Sequence, residues 1–285
     1  MPEVAKHSII AFYGNLPISS APWGRIDEDR STPYKAKFRL PEGMPIVKED
    51  YDSPEIAAGS IAYHPIFGTI SFRAPLWRFS TERFMSDLAA ADNNPAIIAH
   101  IIHVDSCGGE AFGCHEAFEY VKNLTKPCYA VIDTVSASAG YYLSAGCKKI
   151  FASSIFSEIG CIGVMCTMYD DAGLLKNWGI AEHEYYSNYS PLKNKVFNDA
   201  RKGDGEEFVK RFLDPMAFQF IEDVKSVRPN VSEEALQGKT YYSTEALPAG
   251  LVDGENTLEE VVEMILKQTT SKQAGPSIDI NTINF

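Results

Sequence analysis

The sequence predicts an α/β protein built on a largely parallel sheet, and three observations carry that expectation. Two apolar runs, AIIAHIIHVD (Ala96 to Asp105) and CYAVIDTV (Cys128 to Val135), have the composition of strands buried on both faces. Apolar residues recur at helical spacing before and between them, as Phe84, Leu88 and Ala91 and then as Cys114, Phe118, Val121 and Leu124. Strand, helix, strand and helix follow one another at the short intervals of βαβ units, which implies right-handed crossovers and a layered domain.

Taken in order, residues 1 to 57 are rich in proline and weak in periodicity, and read as an irregular N-terminal arm. Regularity begins with SIAYHPIFGTI (Ser60 to Ile70), a strand with a turn at Gly68. Ser80 or Thr81 is the expected N-cap of the first helix, and Asn93-Asn94-Pro95 its end. Lys126-Pro127 stops the second helix. KIFASS (Lys149 to Ser154), CIGVMCTMY (Cys161 to Tyr169) and AEHEYYS (Ala181 to Ser187) read as further strands, with a helical piece, DDAGLLKNWG, before the last. Phe208, Phe212, Met216, Phe220 and Val224 form a helical stripe, expected as core or as an interface between copies. A short strand, a turn and an amphipathic helix close the body at Gln268, leaving 269–285 as a flexible tail. The main domain is thus expected over 58–268.

Composition excludes several classes. The chain has 285 residues, 45% of them hydrophobic, which suits an ordinary globular protein. Its 26 Lys+Arg against 38 Asp+Glu give a net charge of -12, which argues against a nucleic-acid footprint. No apolar stretch is long enough for a membrane span, and the N-terminus lacks the apolar core of a secretory signal. A cytoplasmic protein without a membrane anchor is expected. The six cysteines fall inside expected core elements and include no CxxC pair, so they read as reduced, buried thiols, with no metal site and no cofactor implied.

Chemistry concentrates between Asp133 and Gly163. In DTVSASAGYYLSAG a strand breaks into small residues and becomes helical. A serine there has neighbours that let a substrate backbone approach, and a helix N-terminus that stabilises developing negative charge. Ser138 is therefore the candidate nucleophile; the plainer alternative is a tight turn with a serine cap. The Gly108-Gly109 pair follows the first buried strand, and since ligands bind at the carboxyl ends of the strands of an open α/β sheet, the two turns are expected to face each other. Backbone N–H groups there, Gly109 foremost, suit an oxyanion hole; the plainer alternative is a glycine-rich turn.

The base is less evident. His100 and His103 lie three apart on one strand, so they point to opposite faces and read as packing residues. His7, His64, His115 and His183 offer no clear partner. Lys193 and Lys195 lie in the polar turn SNYSPLKNK. A lysine buried beside a hydroxyl loses its proton readily, but either is a solvated surface lysine in the plainer reading.

Five motifs in order resemble those of the S49 peptidases, the signal peptide peptidase A type, which have the ClpP/crotonase fold. They are Asp105-Ser-Cys-Gly-Gly109, Ala137-Ser-Ala-Gly-Tyr-Tyr142, Ile159-Gly-Cys-Ile-Gly-Val164, Ser190-Pro-Leu-Lys193 and Thr244-Glu-Ala-Leu-Pro-Ala-Gly-Leu-Val-Asp253. The resemblance implies a serine endopeptidase with a Ser–Lys dyad: Ser138 as nucleophile, Lys193 as general base, and Gly108 and Gly109 at the oxyanion. It also implies that Ile159, Gly160, Cys161, Ile162 and Gly163 form an edge to which substrate adds as a strand.

Three departures stand out. Cys107 replaces a proline, Cys161 replaces a serine that bonds the lysine, and the glycine before the base segment is missing, so that Lys195 competes with Lys193. The soluble character resembles the bacteriophage or prophage branch, which processes capsid or scaffold proteins; a cytosolic peptidase fits equally. A ring-like homo-oligomer acting on a protein or peptide substrate is the implied assembly. The rivals are a catalytically silent assembly protein of this fold and a crotonase-type acyl-CoA enzyme.

Overall fold

The computed structural model describes residues 43–76 and 78–273. The sheet is built in the order β1 (Ile46–Val47), β2 (Ser60–Ile70), β3 (Ile97–Gly109), β4 (Cys128–Ala137), β5 (Lys149–Ala152) and β8 (Gly254–Glu255), all parallel. Two further strands, β6 (Glu158–Gly160) and β7 (Thr240–Tyr242), complete it. β4 forks the sheet: Tyr129–Ile132 pair with β5, whereas Val135–Ala137 pair with β6. β7 runs antiparallel along the far side of β6. This is the α/β layered core expected.

Helices α1 (Thr81–Asn93), α2 (Cys114–Lys122), α3 (Ala139–Ala145) and α7 (Asp214–Val227) cover one face. Phe84, Leu88, Phe118, Tyr141, Leu143 and Phe220 fill the layer between them and the sheet. Helix α9 (Leu258–Gln273) covers part of the other face with Val261, Val262 and Ile265. Ser80 is the N-cap of α1, its hydroxyl accepting from Arg83 N–H. His100 and His103 point to opposite faces and are both buried: His100 meets His64 at 3.1 Å and Asp92 at 3.2 Å, and His103 meets the Tyr63 hydroxyl at 2.7 Å.

Several segments differ from their expected form. The strand expected over 161–169 lies earlier, at Glu158–Gly160, because Cys161 has φ +54° and turns the chain out of the ladder. AEHEYYS forms no strand: 181–187 is exposed throughout and meets no neighbouring strand, so its alternation has nothing to pair with. Within the expected arm, β1 adds two residues to the sheet edge, while 1–42 lie outside the described residues. Helix α9 continues past Gln268 to Gln273, so the expected tail begins inside a helix; 274–285 lie outside the described residues.

The aromatic stripe is used within the chain. Phe208, Phe220 and Val224 are buried, and Phe220 stacks on Tyr142 with ring centroids 4.1 Å apart. All six cysteines are reduced, but Cys107 is exposed and not a core thiol.

The short helices α4 (Ala172–Asn177) and α5 (Lys195–Arg201) contribute no buried residue. A three-residue α6 (Glu206–Phe208) and a π-helical turn, Val209–Leu213, then lead into α7. A further helix, α8 (Ser243–Ala246), follows β7.

Candidate active site

Ser138 closes β4 and caps α3. Its backbone has φ +55° and ψ −122°, a combination that a residue with a Cβ adopts only under strain. Two hydrogen bonds hold it there: Ser138 N–H donates to Gly160 C=O at 2.9 Å, and Tyr142 N–H donates to Ser138 C=O at 2.9 Å. The residue is 1% exposed, yet its hydroxyl has no hydrogen-bond partner among the described residues. A buried hydroxyl left unpaired costs roughly 1–3 kcal/mol. A strained residue with an unspent hydroxyl at a helix start is what a nucleophile requires before substrate arrives.

The two turns expected to face each other do so. A Cβ on Gly108 would sit 2.9 Å from Ser138 Cβ, 3.0 Å from Ala137 O and 3.0 Å from Ala139 N, and Gly108 has φ +104°. Only glycine allows this approach. The Gly108 N–H donates to Ser106 Oγ at 3.1 Å, and Ser106 Oγ donates to Gly68 C=O at 2.6 Å, which ties the turn to β2. Gly109 packs its α-carbon on the backbone of Ile70.

Sequence reasoning missed one group, the Ala139 N–H. It is the first helical amide of α3 and has no intrahelical acceptor. The signal was available: the residue after a helix N-cap presents such an amide.

Of the segment expected as an open edge, Ile159 and Gly160 are already paired on both sides, with β4 and with β7. Cys161 N–H donates to Lys239 C=O at 2.9 Å, which uses the next position as well. Edge geometry therefore remains only from Ile162 and Gly163 onward. Cys161 is buried directly beside this turn. Cys107 lies next to Gly108; its residue surface is open, but its thiol is partly shielded, and that partial burial first, then Glu158 and Asp105, push the thiol up.

The structure does not bring Lys193 to Ser138 within one chain. Lys193 is exposed and lines a shallow groove with Glu184, Tyr185, Tyr186 and Ser190, and Ser138 is not part of that groove. Its amine makes no hydrogen bond or ion pair among the described residues. Lys195 is engaged instead with Asp199, chiefly by hydrogen bonding, which holds its amine above the ordinary lysine range. Among the described residues, no group of three or more His, Cys, Asp or Glu is placed to hold a metal ion, and no helix is long and apolar enough to cross a membrane.

Comparison with known proteins adds the family. The model of peptidase family S49 matches residues 121–272, more than half of the chain. The chain belongs to peptidase family S49. That match contains Ser138 and Lys193 and begins after Gly108-Gly109. Among curated relatives of this S49 chain, a putative signal peptide peptidase SppA of Enterococcus faecium is 26% identical over 201 residues, covering 67% of this chain and 57% of that protein.

A probable protease SohB of Buchnera aphidicola is 27% identical over 179 residues, covering 61% and 57%. The S49 chain thus spans little more than half the length of these two relatives. Among solved structures, a membrane protease specific for a stomatin homolog from Pyrococcus horikoshii is 15% identical at a TM-score of 0.44, covering 73% of this chain and 79% of that one. A ClpP1 variant from Listeria monocytogenes is 12% identical at a TM-score of 0.45, covering 70% and 94%.

Proposed function

We propose that this S49 chain is a serine endopeptidase in which Ser138 is the nucleophile and Lys193, supplied by a second copy of the chain, is the general base. The observation that carries the proposal is the strained, buried and unpartnered Ser138 at the start of α3, with Gly108 packed against it. Ser138 Oγ attacks the scissile carbonyl as its proton passes to the lysine amine. The amides of Gly109 and Ala139 stabilise the oxyanion, and Gly108 keeps the approach open. The lysine returns the proton to the leaving amine, and water then hydrolyses the acyl-enzyme with the same lysine as base.

The second copy enters for a physical reason. A lysine accepts a proton only after desolvation has removed its own, and Lys193 is exposed in the single chain. Every residue from Asp170 to Tyr189 except Leu175 is exposed, Tyr185 and Tyr189 project from this stretch, Tyr189 at 98% exposure, and Leu192 projects just beyond it. An exposed aromatic segment of this size suits burial against another molecule. A copy of the same chain would cover it and desolvate Lys193 in one step.

The test is labelling by a fluorophosphonate probe. Wild type should be modified at Ser138, whereas Ser138→Ala and Lys193→Ala should each stay unlabelled. Co-assembled Ser138→Ala and Lys193→Ala should regain labelling on the Lys193→Ala chain. Labelling of Lys193→Ala alone at the wild-type rate would remove Lys193 as base. Absence of labelling in folded, assembled wild type would leave the catalytically silent assembly protein as the reading, which the separation of Ser138 and Lys193 within one chain favours.

A further inference from the structure

The two faces of the sheet are covered unequally. Helix α9 packs Val261, Val262 and Ile265 over Tyr63, Ile101, Tyr129, Val131 and Phe151, towards the N-terminal ends of the strands. Nearer the candidate site, Val135, Glu158 and Tyr242 lie opposite one another across β4, β6 and β7. Residues paired in register share a face of the sheet. The next row, Ser136, Ile159 and Tyr241, points the other way and is buried. The Val135–Glu158–Tyr242 row is therefore the uncovered one.

Its chemistry is specific. Tyr242 is 54% exposed, and Phe156, at 72%, meets its ring edge-on with centroids 6.2 Å apart. The Glu158 carboxylate makes no hydrogen bond or ion pair among the described residues. An unneutralised carboxylate beside two open aromatic rings is the combination that receives a cationic side chain, through an ion pair and cation–π attraction. Asp105 adds a second carboxylate, held by the Thr134 hydroxyl and in no ion pair among the described residues. Both acids act on Cys107, the neighbour of Gly108, so their field reaches the turn that contacts Ser138.

Position ties the row to the reaction. Glu158 lies two residues before Gly160, whose carbonyl accepts the Ser138 N–H. At about 3.3 Å per strand residue, the row is about 7 Å from that contact, the span of two residues of an extended peptide. The buried Ser138 hydroxyl, without a partner of its own, stands at the end of β4 that begins this row.

We propose that Glu158, with Tyr242 and Phe156, forms a subsite for a lysine or arginine side chain of the peptide substrate, two to three residues from the bond attacked by Ser138. This rests on the peptidase reading above, and the experiment separates the two. Binding is measured first, because it does not depend on turnover. Full-length Ser138→Ala is titrated with fluorescein-labelled hexapeptides in which each position in turn is lysine or norleucine, which keeps the four-carbon stem and lacks the ammonium group. Wild type is then assayed for hydrolysis of the same pairs and for fluorophosphonate labelling.

At one position lysine should bind about 5- to 10-fold more tightly than norleucine at low salt, the scale of an exposed ion pair joined by a cation–π contact. The preference should shrink as salt rises. Adding Glu158→Gln should bring it within about twofold, whereas Glu263→Gln, on the remote helix α9, should retain it. Equal binding of lysine and norleucine at every position overturns the subsite, as does a preference that survives Glu158→Gln. Lysine-selective binding in a protein that the probe never labels sinks the peptidase reading and leaves the subsite standing. Labelling without lysine preference does the reverse.

Discussion

Substituting alanine for Gly108 separates two physical effects that meet at the candidate site. The first is backbone strain: Gly108 has φ +104°, and a residue with a Cβ in that region costs about 1–2 kcal/mol. The second is contact, because the new Cβ would lie 2.9 Å from Ser138 Cβ and 3.0 Å from two backbone atoms. Overpacking of this kind costs about 1–3 kcal/mol. The sum, about 3.5 kcal/mol, corresponds to a fall of about 10 °C in Tm for a domain of this size.

Gly203 supplies the control. It has φ +96° with nothing within 4 Å of its Cβ position, so Gly203→Ala carries the strain alone and should lower Tm by about 4 °C. Chemistry should separate the two further. Displacing a nucleophile by about 1 Å costs up to a hundredfold, so Gly108→Ala should slow fluorophosphonate labelling of Ser138 at least tenfold, and Gly203→Ala should leave it at the wild-type rate. Equal losses of Tm in the two variants, with unchanged labelling in both, would refute the packing of Gly108 on Ser138.

Two further outcomes concern stability. Burial holds His103 down to about 4 in the folded chain, against about 6.5 unfolded. The unfolded state therefore binds the extra proton between these values, and stability that is complete above about pH 6.5 falls as pH drops towards 4. His103 alone should remove about 2 kcal/mol between pH 7.5 and pH 5, with His64 and His100, also held down by burial, adding in the same direction; urea titrations across that range check it, and a flat profile contradicts the buried neutral histidines. Asp253 pairs with the largely buried Arg228 at 2.7 Å and accepts Ile150 N–H at 2.8 Å. Asp253→Ala should cost about 3 kcal/mol in chemical denaturation, and a loss below about 1 kcal/mol would show that the pair contributes little.

What the sequence disclosed follows from where its signals are strong. The apolar runs that became β3 and β4 admit few other readings, because a run buried on both faces has room for few polar residues. The opposition of Gly108 and Ser138 was also legible: small residues at the carboxyl ends of two adjacent strands meet for geometrical reasons.

Other features depended on properties that composition does not encode. Cys161 takes a positive φ without being glycine, so the end of β6 left no trace in the residue types. Alternation of the kind in AEHEYYS (Ala181 to Ser187) signals a strand only when a neighbour exists to pair with it. The Phe208 to Val224 stripe had the right period for either core or interface; Tyr142 stacked on Phe220 places its Phe220–Val224 end in the core, while Phe212 and Met216 stay half-buried. The exposure of Lys193 belongs to the same class, since a polar turn looks alike in sequence whether it folds onto its own chain or reaches outwards.

The fork in the sheet has a consequence for the order in which this protein is made. β6 holds the Ser138 amide through Gly160, yet its outer side is completed by β7, which follows much later in the chain, at Thr240–Tyr242. A ribosome adds residues at about 5–20 per second. For several seconds after the serine has been synthesised, the strand that braces it has only one of its two neighbours. The nascent chain thus passes through a period in which the serine is present and its bracing strand is flanked on one side only, and the support is complete only when Thr240–Tyr242 close along β6.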